Sequence, residues 1–308
     1  MDYPKTLYKY SKFKPYTIEN LEKGYVYFCP AYELDDQFEC LINWRKYQGL
    51  YRERKIDVAI EVVEDLLRYY GFNIPNVHIK DYYNGCDLNK EKALKYMIFN
   101  SNINRDKAKR IVKGIEELQN LKLSEEAEEK LRKVVLMQDY VGIVSLAEEN
   151  NNQVLWSMYA NNYNGYCIEY DIETFLSNNP EYEQEFFKVK YDSDRQFDVI
   201  KEILRIVYKG IFVKLGVKID NKLDDKLKQL IIDIATTKHT DWSFQREWRL
   251  VGKPENKDLI LPIKAVYLGC NLRKTYREKI LRVCRKRKIK VYYQTNDYET
   301  LQISFENK

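Results

Sequence analysis

A carboxylate and a guanidinium stand two residues apart in the run Asp241–Leu250 (DWSFQREWRL). The run EWRLVG (247–252) predicts a strand, and Glu247 and Arg249 would then project from one face, because alternate residues of a strand share a face. A neighbouring arginine keeps a carboxylate ionised. Position alone favours a structural ion pair. The same pair also suits a site where a carboxylate stabilises a developing cation or binds a ribose hydroxyl.

Two pairs of aromatic residues have spacings that place each pair on one face. Tyr8 and Tyr10 are one strand repeat apart, and Trp156 and Tyr159 are three residues apart in a short predicted helix. In a chain with 27 tyrosines, core packing is the simpler interpretation. Paired rings can instead enclose a planar group such as nicotinamide or a base.

Several classes of site lack their residues in this sequence. The chain has two histidines, His78 and His239, so His-rich zinc sites are excluded, and a Ser–His or Cys–His catalytic pair could use only these two. Its six cysteines form no CxxC pair, which argues against a zinc knuckle or a thioredoxin-like site. The sequence therefore predicts no metal site. A weaker alternative is a metal-dependent nuclease built on scattered acids, namely Asp35, Asp36, Glu39 and Glu169.

The charge of the chain is concentrated near its C-terminus. The formal net charge is +5, but residues 271–290 hold ten lysines and arginines against Glu278. Apolar residues recur there at helical spacing, which predicts an amphipathic helix with a basic face. Such a face can contact nucleic-acid phosphates, or it can simply be solvated, with its cations favoured by the helix dipole.

Strand patterns lie at both ends and in the middle of the chain, with helical patterns between them. Strands and helices do not alternate one for one, so we expect an α+β fold with a mixed, mostly antiparallel sheet. We expect a single domain over 1–308 with a helical insertion at 44–135, which includes a helix over 105–120. No apolar run reaches the roughly 18 residues of a spanning helix, and the N-terminus lacks a secretory h-region, so we expect a cytoplasmic protein without membrane contact.

The motifs resemble those of a large bacterial family of unknown function, family 2971, over about residues 7–295. The resemblance rests on four blocks in this order: LYKY with ENL and YF, the block at 34–39, LWSMYA with GYCIEYD, and WSFQREWR. The EWR block and the W-x-x-Y-A…G…E block are its specific parts. More distantly, the layout looks like that of DarT-type ADP-ribosyltransferases, which modify nucleic acids.

This second resemblance implies an ADP-ribosyltransferase-like fold and an NAD-consuming reaction. By it, Tyr8 and Tyr10 would flank NAD, Trp156 and Tyr159 would line the nicotinamide pocket, and Glu247 would be the catalytic residue. A carboxylate at the ribose stabilises the oxocarbenium-like state of nicotinamide release without metal or histidine. The acceptor would be nucleic acid, reached through 271–290, or a protein, in phage defence or a toxin system.

Five positions depart from the family pattern. Ser11 stands where the family usually has Arg, Asp35 and Gln37 where its second block has Asn and Pro, Met158 where it has His, and Gln245 where it has the first Glu of E-x-E. NAD would then be held by other cations, and Lys9, Lys12 and Arg249 are the candidates. The alternative is a non-catalytic module of the same fold that binds a nucleotide, nucleic acid or a partner.

Overall fold

The computed structural model describes residues 3–41, 98, 104–120, 141–193, 213, 216, 222–255, 259–297 and 299–307. Among these residues, no helix has both the length and the apolar character needed to cross a membrane.

The chain divides into two compact units. The first consists of Met1–Cys40, Met137–Arg195 and Ile234–Lys308, and the second of Leu41–Leu136 and Gln196–Asp233. The predicted insertion at 44–135 belongs to the second unit. There the helix expected over 105–120 is confirmed, and apart from residue 98 and 104–120 the insertion lies outside the described residues.

Six α-helices and eleven strands are described. The helices are α1 (Pro15–Lys23), α2 (Arg105–Asn120), α3 (Gln153–Met158), α4 (Ile172–Asn178), α5 (Lys222–Ala235) and α6 (Lys274–Arg287). The strands are β1 (Thr6–Lys12), β2 (Cys29–Pro30), β3 (Gly142–Ala147), β4 (Gly165–Asp171), β5 (Phe186–Lys188), β6 (Lys190–Tyr191), β7 (Thr237–Lys238), β8 (Glu247–Gly252), β9 (Ile263–Leu268), β10 (Lys290–Asp297) and β11 (Gln302–Asn307). Short 3₁₀ turns span Ala31–Glu33, Pro180–Glu185 and Thr240–Gln245.

Nine strands of the first unit form one sheet in the order β11-β10-β9-β4-β1-β3-β8-β5, with β2 paired to β3. The β9–β10 pair is parallel, and α6 connects these two strands. The other pairs in this sheet are antiparallel. A separate parallel pair joins β6 and β7. The expected mixed α and β architecture with a largely antiparallel sheet is therefore confirmed.

The two faces of the large sheet carry different side chains. One face forms an aliphatic and aromatic core with buried residues of α1, α4 and α6, such as Leu21, Phe175 and Ile280. The opposite face carries an aromatic cluster in which Trp156 of α3 and Tyr267 of β9 pack with partly buried tyrosines. Alternation along each strand sends neighbouring residues to opposite faces.

Two glycines allow the backbone to pass close to itself at the start of β4. A Cβ atom at Gly165 would lie 2.3 Å from the carbonyl oxygen of Ser11, and one at Gly269 would lie 2.1 Å from that of Tyr163. Both contacts are with backbone atoms, which cannot rotate away. The two glycines thus allow β1, β4 and the end of β9 to pack closely together.

The sheet opens between β1 and β3. Among the described residues these strands share one register pair, Tyr8 with Ala147, and the other end of β3 pairs with β2 through Ile143 and Gly142. Lys9 and Tyr10, which follow the shared pair on β1, border a cavity together with β3 residues. The divergence of two strands within one sheet thus creates the candidate site.

Candidate functional site

A cavity of about 230 Å³ lies in the first unit where β1 and β3 diverge. Its walls come from β1, the loop 33–35, β3, the end of α3 and the segment that enters β8. The lining side chains with polar groups are Tyr8, Lys9, Tyr10, Cys29, Glu33, Asp35, Ser145, Tyr159, Lys238, Gln245 and Glu247.

A buried network of two carboxylates and two cations reaches this wall through Glu247 and Lys238. Arg249 donates from Nε and Nη2 to the two carboxylate oxygens of Glu247, at 2.8 and 3.2 Å. It also donates to both oxygens of Glu39, at 2.8 and 3.0 Å, and to the carbonyl of Ala235 at 2.6 Å. Arg249 and Glu39 are fully buried and Glu247 is 3% exposed. Every guanidinium nitrogen is therefore occupied, and the Glu247 carboxylate is held at the cavity wall.

Lys238 joins the same network from β7 and extends it towards the cavity. Its ammonium lies 3.3 Å from Oε2 of Glu247 and 3.5 Å from Oε2 of Glu39. It donates to Oε1 of Gln245 at 2.8 Å, and Nε2 of Gln245 donates to the hydroxyl of Tyr159 at 2.7 Å. Because its oxygen accepts from Lys238, the Gln245 amide presents its NH₂ group to Tyr159 and the cavity.

The backbone before β8 directs these groups. Thr240–Gln245 is a 3₁₀ turn that ends at Arg246, which adopts a left-handed conformation with φ of 42°. Arg246 is exposed and forms an ion pair with Glu149, and the strand spans Glu247–Gly252, as the EWRLVG run predicts. The turn and the strand place Gln245 and Glu247 on the same cavity wall.

The charges around Glu247 fix its protonation state. Burial alone would raise the pKa of its carboxyl, but Arg249, Lys238 and hydrogen bonds outweigh that effect and lower the pKa from 4.5 to about 2. Tyr159 experiences the opposite balance, since burial and the carboxylates of Asp35 and Glu247 raise the pKa of its phenol. At neutral pH the cavity therefore presents a carboxylate beside a protonated phenol.

Four of the six predicted site residues border this cavity, namely Tyr8, Tyr10, Tyr159 and Glu247. Tyr10 is held by hydrogen bonds between its hydroxyl and the backbone of Glu149 and Asn152, at 2.8 and 3.3 Å. Burial raises the pKa of both β1 tyrosines, which keeps them neutral at physiological pH. The structure thus brings together residues from three separate sequence blocks.

The other two predicted residues lie behind the cavity wall. Trp156 is fully buried, packs edge-on against Tyr10 with ring centres 5.4 Å apart, and donates from Nε1 to the carbonyl of Asn150. Arg249 contacts Glu247 and is not among the residues that line the cavity. Trp156 and Arg249 therefore support the residues of the cavity wall and do not themselves face the cavity.

The sequence analysis did not assign site roles to Lys238 or to Gln245. Lys238 follows α5 and belongs to none of the motifs, although it is 5% exposed. Gln245 stood out only as a departure from the family pattern. For Gln245 the sequence does contain a signal, because this residue precedes Glu247 by two positions. The partner of Lys238 depends on tertiary packing, which no local pattern reveals.

The acidic residues of the nuclease alternative occupy different environments. Glu39 pairs with Arg249, whereas Glu169 accepts from the Tyr267 hydroxyl at 2.6 Å and pairs with Lys264 at 3.0 Å. Within the part of the chain that the structure describes, no group of three or more Asp, Glu, His or Cys residues is arranged to hold a metal ion.

The predicted basic helix is present as α6, with bounds Lys274–Arg287. Its apolar side, with Ile280, Val283 and Cys284, is buried in the core. Arg287 donates to the carbonyl of Leu21 at 2.7 Å, which ties the helix to α1. The remaining cations with exposed side chains are Arg273, Lys274, Lys279, Arg282, Arg285, Lys286, Lys288 and Lys290.

Comparison with known proteins gives one match. A family model described as a protein of unknown function (DUF2971) matches residues 155–250. This is less of the chain than the expected 7–295, and it contains the tryptophan block and the EWR block. No curated protein and no solved structure matches the chain.

Proposed function

We propose that the protein is an NAD-dependent ADP-ribosyltransferase with an ADP-ribosyltransferase-like fold, and that Glu247 is its catalytic carboxylate. The observation that carries the proposal is an ionised, immobilised carboxylate in the wall of a cavity that three tyrosines also line. The resemblance of the motifs to DarT-type enzymes supports it.

The proposed reaction needs little more than this electrostatic arrangement. When the bond between nicotinamide and ribose breaks, its electron pair leaves with neutral nicotinamide, and positive charge develops on the ribose. A fixed carboxylate stabilises that charge, and it needs no reorganisation because Arg249 and Lys238 already hold it. A nucleophile of the acceptor then bonds to the ribose carbon and releases its proton to water.

The tyrosines give the cavity the character of a site for a flat ring. Tyr8, Tyr10 and Tyr159 contribute aromatic surface, and the amide of Gln245 is anchored to Tyr159 at 2.7 Å. In this proposal they surround nicotinamide. Trp156 and Arg249 do not contact the ring in this proposal; Trp156 positions Tyr10, and Arg249 positions Glu247.

The exposed cations of α6 support nucleic acid as the acceptor. Residues 271–290 carry a net charge of +9 and the rest of the chain −4, so phosphates would be attracted to one region. A protein acceptor is the other candidate. In either case a role in phage defence or a toxin system fits a reaction that consumes NAD.

One observation favours a second function, a non-catalytic module that binds a nucleotide. Both oxygens of Glu247 already accept from Arg249, and Oε2 also faces Lys238. A carboxylate so fully engaged can serve purely to hold the fold. Ser11, Met158 and Gln245 also depart from the family pattern.

Release of nicotinamide from NAD separates the two functions. We expect the purified protein to release nicotinamide, faster with DNA, RNA or cell lysate if one contains the acceptor. Folded protein that binds NAD but releases no nicotinamide with any addition supports the non-catalytic module and contradicts the transferase.

A further inference from the structure

A second and larger cavity adjoins the first on the side of β1 that faces α1. Its volume is about 670 Å³, and Lys9, Tyr10, Cys29, Glu33 and Tyr159 line both cavities. Ligand pockets usually measure about 300–1,000 Å³. The cavity at Glu247 is smaller than this range and suits a fragment, so a larger ligand that reaches Glu247 must also occupy the second cavity.

Lys9 lines both cavities, and its ammonium group has hydrogen-bond donors that the described residues do not use. Of the three N–H groups of its ammonium, the described residues engage one, which donates to the carbonyl of Ser145 at 3.3 Å. Burial lowers the pKa of this ammonium, and Glu247 contributes only a smaller, opposite effect. Glu247 is already balanced by Arg249 and Lys238. A half-buried cation beside a cavity and without a carboxylate of its own favours an anion in that cavity.

The other charged residues of the second cavity also favour an anion. Lys12 and Lys14 also line it and are exposed, whereas Glu33 is its acidic residue. Aromatic rings line the remaining wall, contributed by Tyr16, Tyr25, Tyr27, Tyr166 and Tyr170. Tyr16 is 53% exposed, so part of its side chain is accessible to a ligand. Cations next to tyrosine rings are the surroundings expected for a phosphate attached to a base.

We propose that the second cavity binds a nucleoside diphosphate, with the Lys9 ammonium on its phosphates and the base among the tyrosines of α1 and the 25–27 segment. For the link to chemistry at Glu247 this inference rests on the proposed function, in which the diphosphate is the ADP half of NAD. It assigns the anion contact to Lys9 among the three candidate cations, because Arg249 is enclosed behind Glu247 and Lys12 lines only the second cavity, whereas Lys9 lines both. Ser11 lines the same cavity, so the missing arginine of the family pattern falls at this site.

The test is calorimetric titration of the full chain with ADP, with adenosine as the uncharged control. We expect ADP to bind and adenosine to bind more weakly. Lys9→Met is expected to weaken ADP binding about 10- to 100-fold, the loss typical of a charge-assisted hydrogen bond. Lys9→Arg should retain more affinity than Lys9→Met because it keeps the positive charge.

The matched control is Lys5→Met, which removes an exposed lysine just before β1. Lys5 pairs with Glu173 and lines neither cavity. Thermal unfolding of each variant identifies those that are folded, and the comparison uses only folded variants. ADP affinity that is equal in the wild type and Lys9→Met, equal losses in Lys9→Met and Lys9→Arg, or adenosine binding as tight as ADP binding would each overturn the assignment.

The inference and the proposed function can fail separately. Binding of ADP through Lys9 in a protein that never releases nicotinamide supports the nucleotide site and refutes the transferase. Nicotinamide release with an unchanged KM for NAD in Lys9→Met supports the transferase and refutes the Lys9 assignment.

Discussion

Glu247 keeps its negative charge in a buried position because two cations and several hydrogen bonds replace the water it has lost. Arg249 donates to both oxygens of Glu247 and to both oxygens of Glu39 through its planar fork, a geometry that the single ammonium group of Lys238 does not provide. Such a network is not an efficient source of stability, since desolvation offsets much of the attraction between the charges. Its consequence here is a carboxylate with one fixed orientation at a cavity wall.

Removal of one acid from this network should destabilise the fold strongly. We expect Glu39→Gln to lower the free energy of unfolding by about 3–5 kcal/mol, because Arg249 then lacks one of its buried partners. Urea denaturation measures the change. Glu19→Gln is the control, because Glu19 and Lys23 pair on the surface with side chains 55% and 51% exposed, and it should cost less than about 1 kcal/mol. Equal losses in the two variants would contradict the buried network.

The lowered pKa of Glu247 predicts how stability depends on pH. A carboxyl with a pKa of 4.5 in the unfolded chain and about 2 in the fold contributes stability above 4.5 and loses it as the pH falls towards 2. The contribution is about 3 kcal/mol at neutral pH. Urea denaturation between about pH 6 and about pH 2.5 should therefore show a steeper acid loss in the wild type than in Glu247→Gln. Parallel curves would show that Glu247 is not held as a carboxylate.

The elements around the site differ in how far local sequence predicts them. The helix at 105–120 and the basic helix followed from apolar periodicity, and the EWRLVG strand from its alternation. The left-handed Arg246 did not, because arginine has no preference for positive φ and the turn is imposed by the packing on either side. The pairing of β1 with β3 at one residue, which opens the cavity, joins segments about 140 residues apart and has no local signal.

The glycines that bring the strands together should not tolerate even one added methyl group. Gly269→Ala would place a Cβ atom 2.1 Å from the Tyr163 carbonyl oxygen, so backbone must move. We expect the free energy of unfolding to fall by about 1–3 kcal/mol, as in overpacked cores, measured by urea denaturation. Ser304→Ala, at an exposed position of β11, is the control and should change stability by less than about 0.5 kcal/mol. A neutral Gly269→Ala would mean that the backbones do not approach so closely.

At the scale of the whole molecule, the site unit is assembled from three chain segments. Glu39 and Lys9 come from the first, Tyr159 from the second, and Lys238 and Glu247 from the third. Each segment carries a local motif that the sequence shows, and these motifs indicate Tyr8, Tyr10, Tyr159 and Glu247 as site residues. Which of them face a cavity and which, like Trp156, are enclosed depends on how the segments pack.

The uneven charge distribution predicts where nucleic acid binds. The variant Arg282→Glu/Arg285→Glu, on the exposed side of α6, should weaken binding to a labelled single-stranded oligonucleotide and reduce its salt dependence. Fluorescence anisotropy across a salt series measures both. The control Lys109→Glu/Lys228→Glu makes the same change in net charge at exposed positions of the other unit. Equal effects of the two variants would indicate a general charge effect and no α6 site.

The proposed role of Glu247 in cleaving NAD is tested most directly by comparing nicotinamide release by the wild type and by Glu247→Gln. We predict Glu247-dependent release, reduced about 100- to 1,000-fold in Glu247→Gln, as when a fixed electrostatic group is removed from an active site. Glu39→Gln, assayed at a temperature where it is folded, perturbs the same network but keeps the carboxylate and should retain much of the activity. Equal release by the wild type and folded Glu247→Gln would contradict the account.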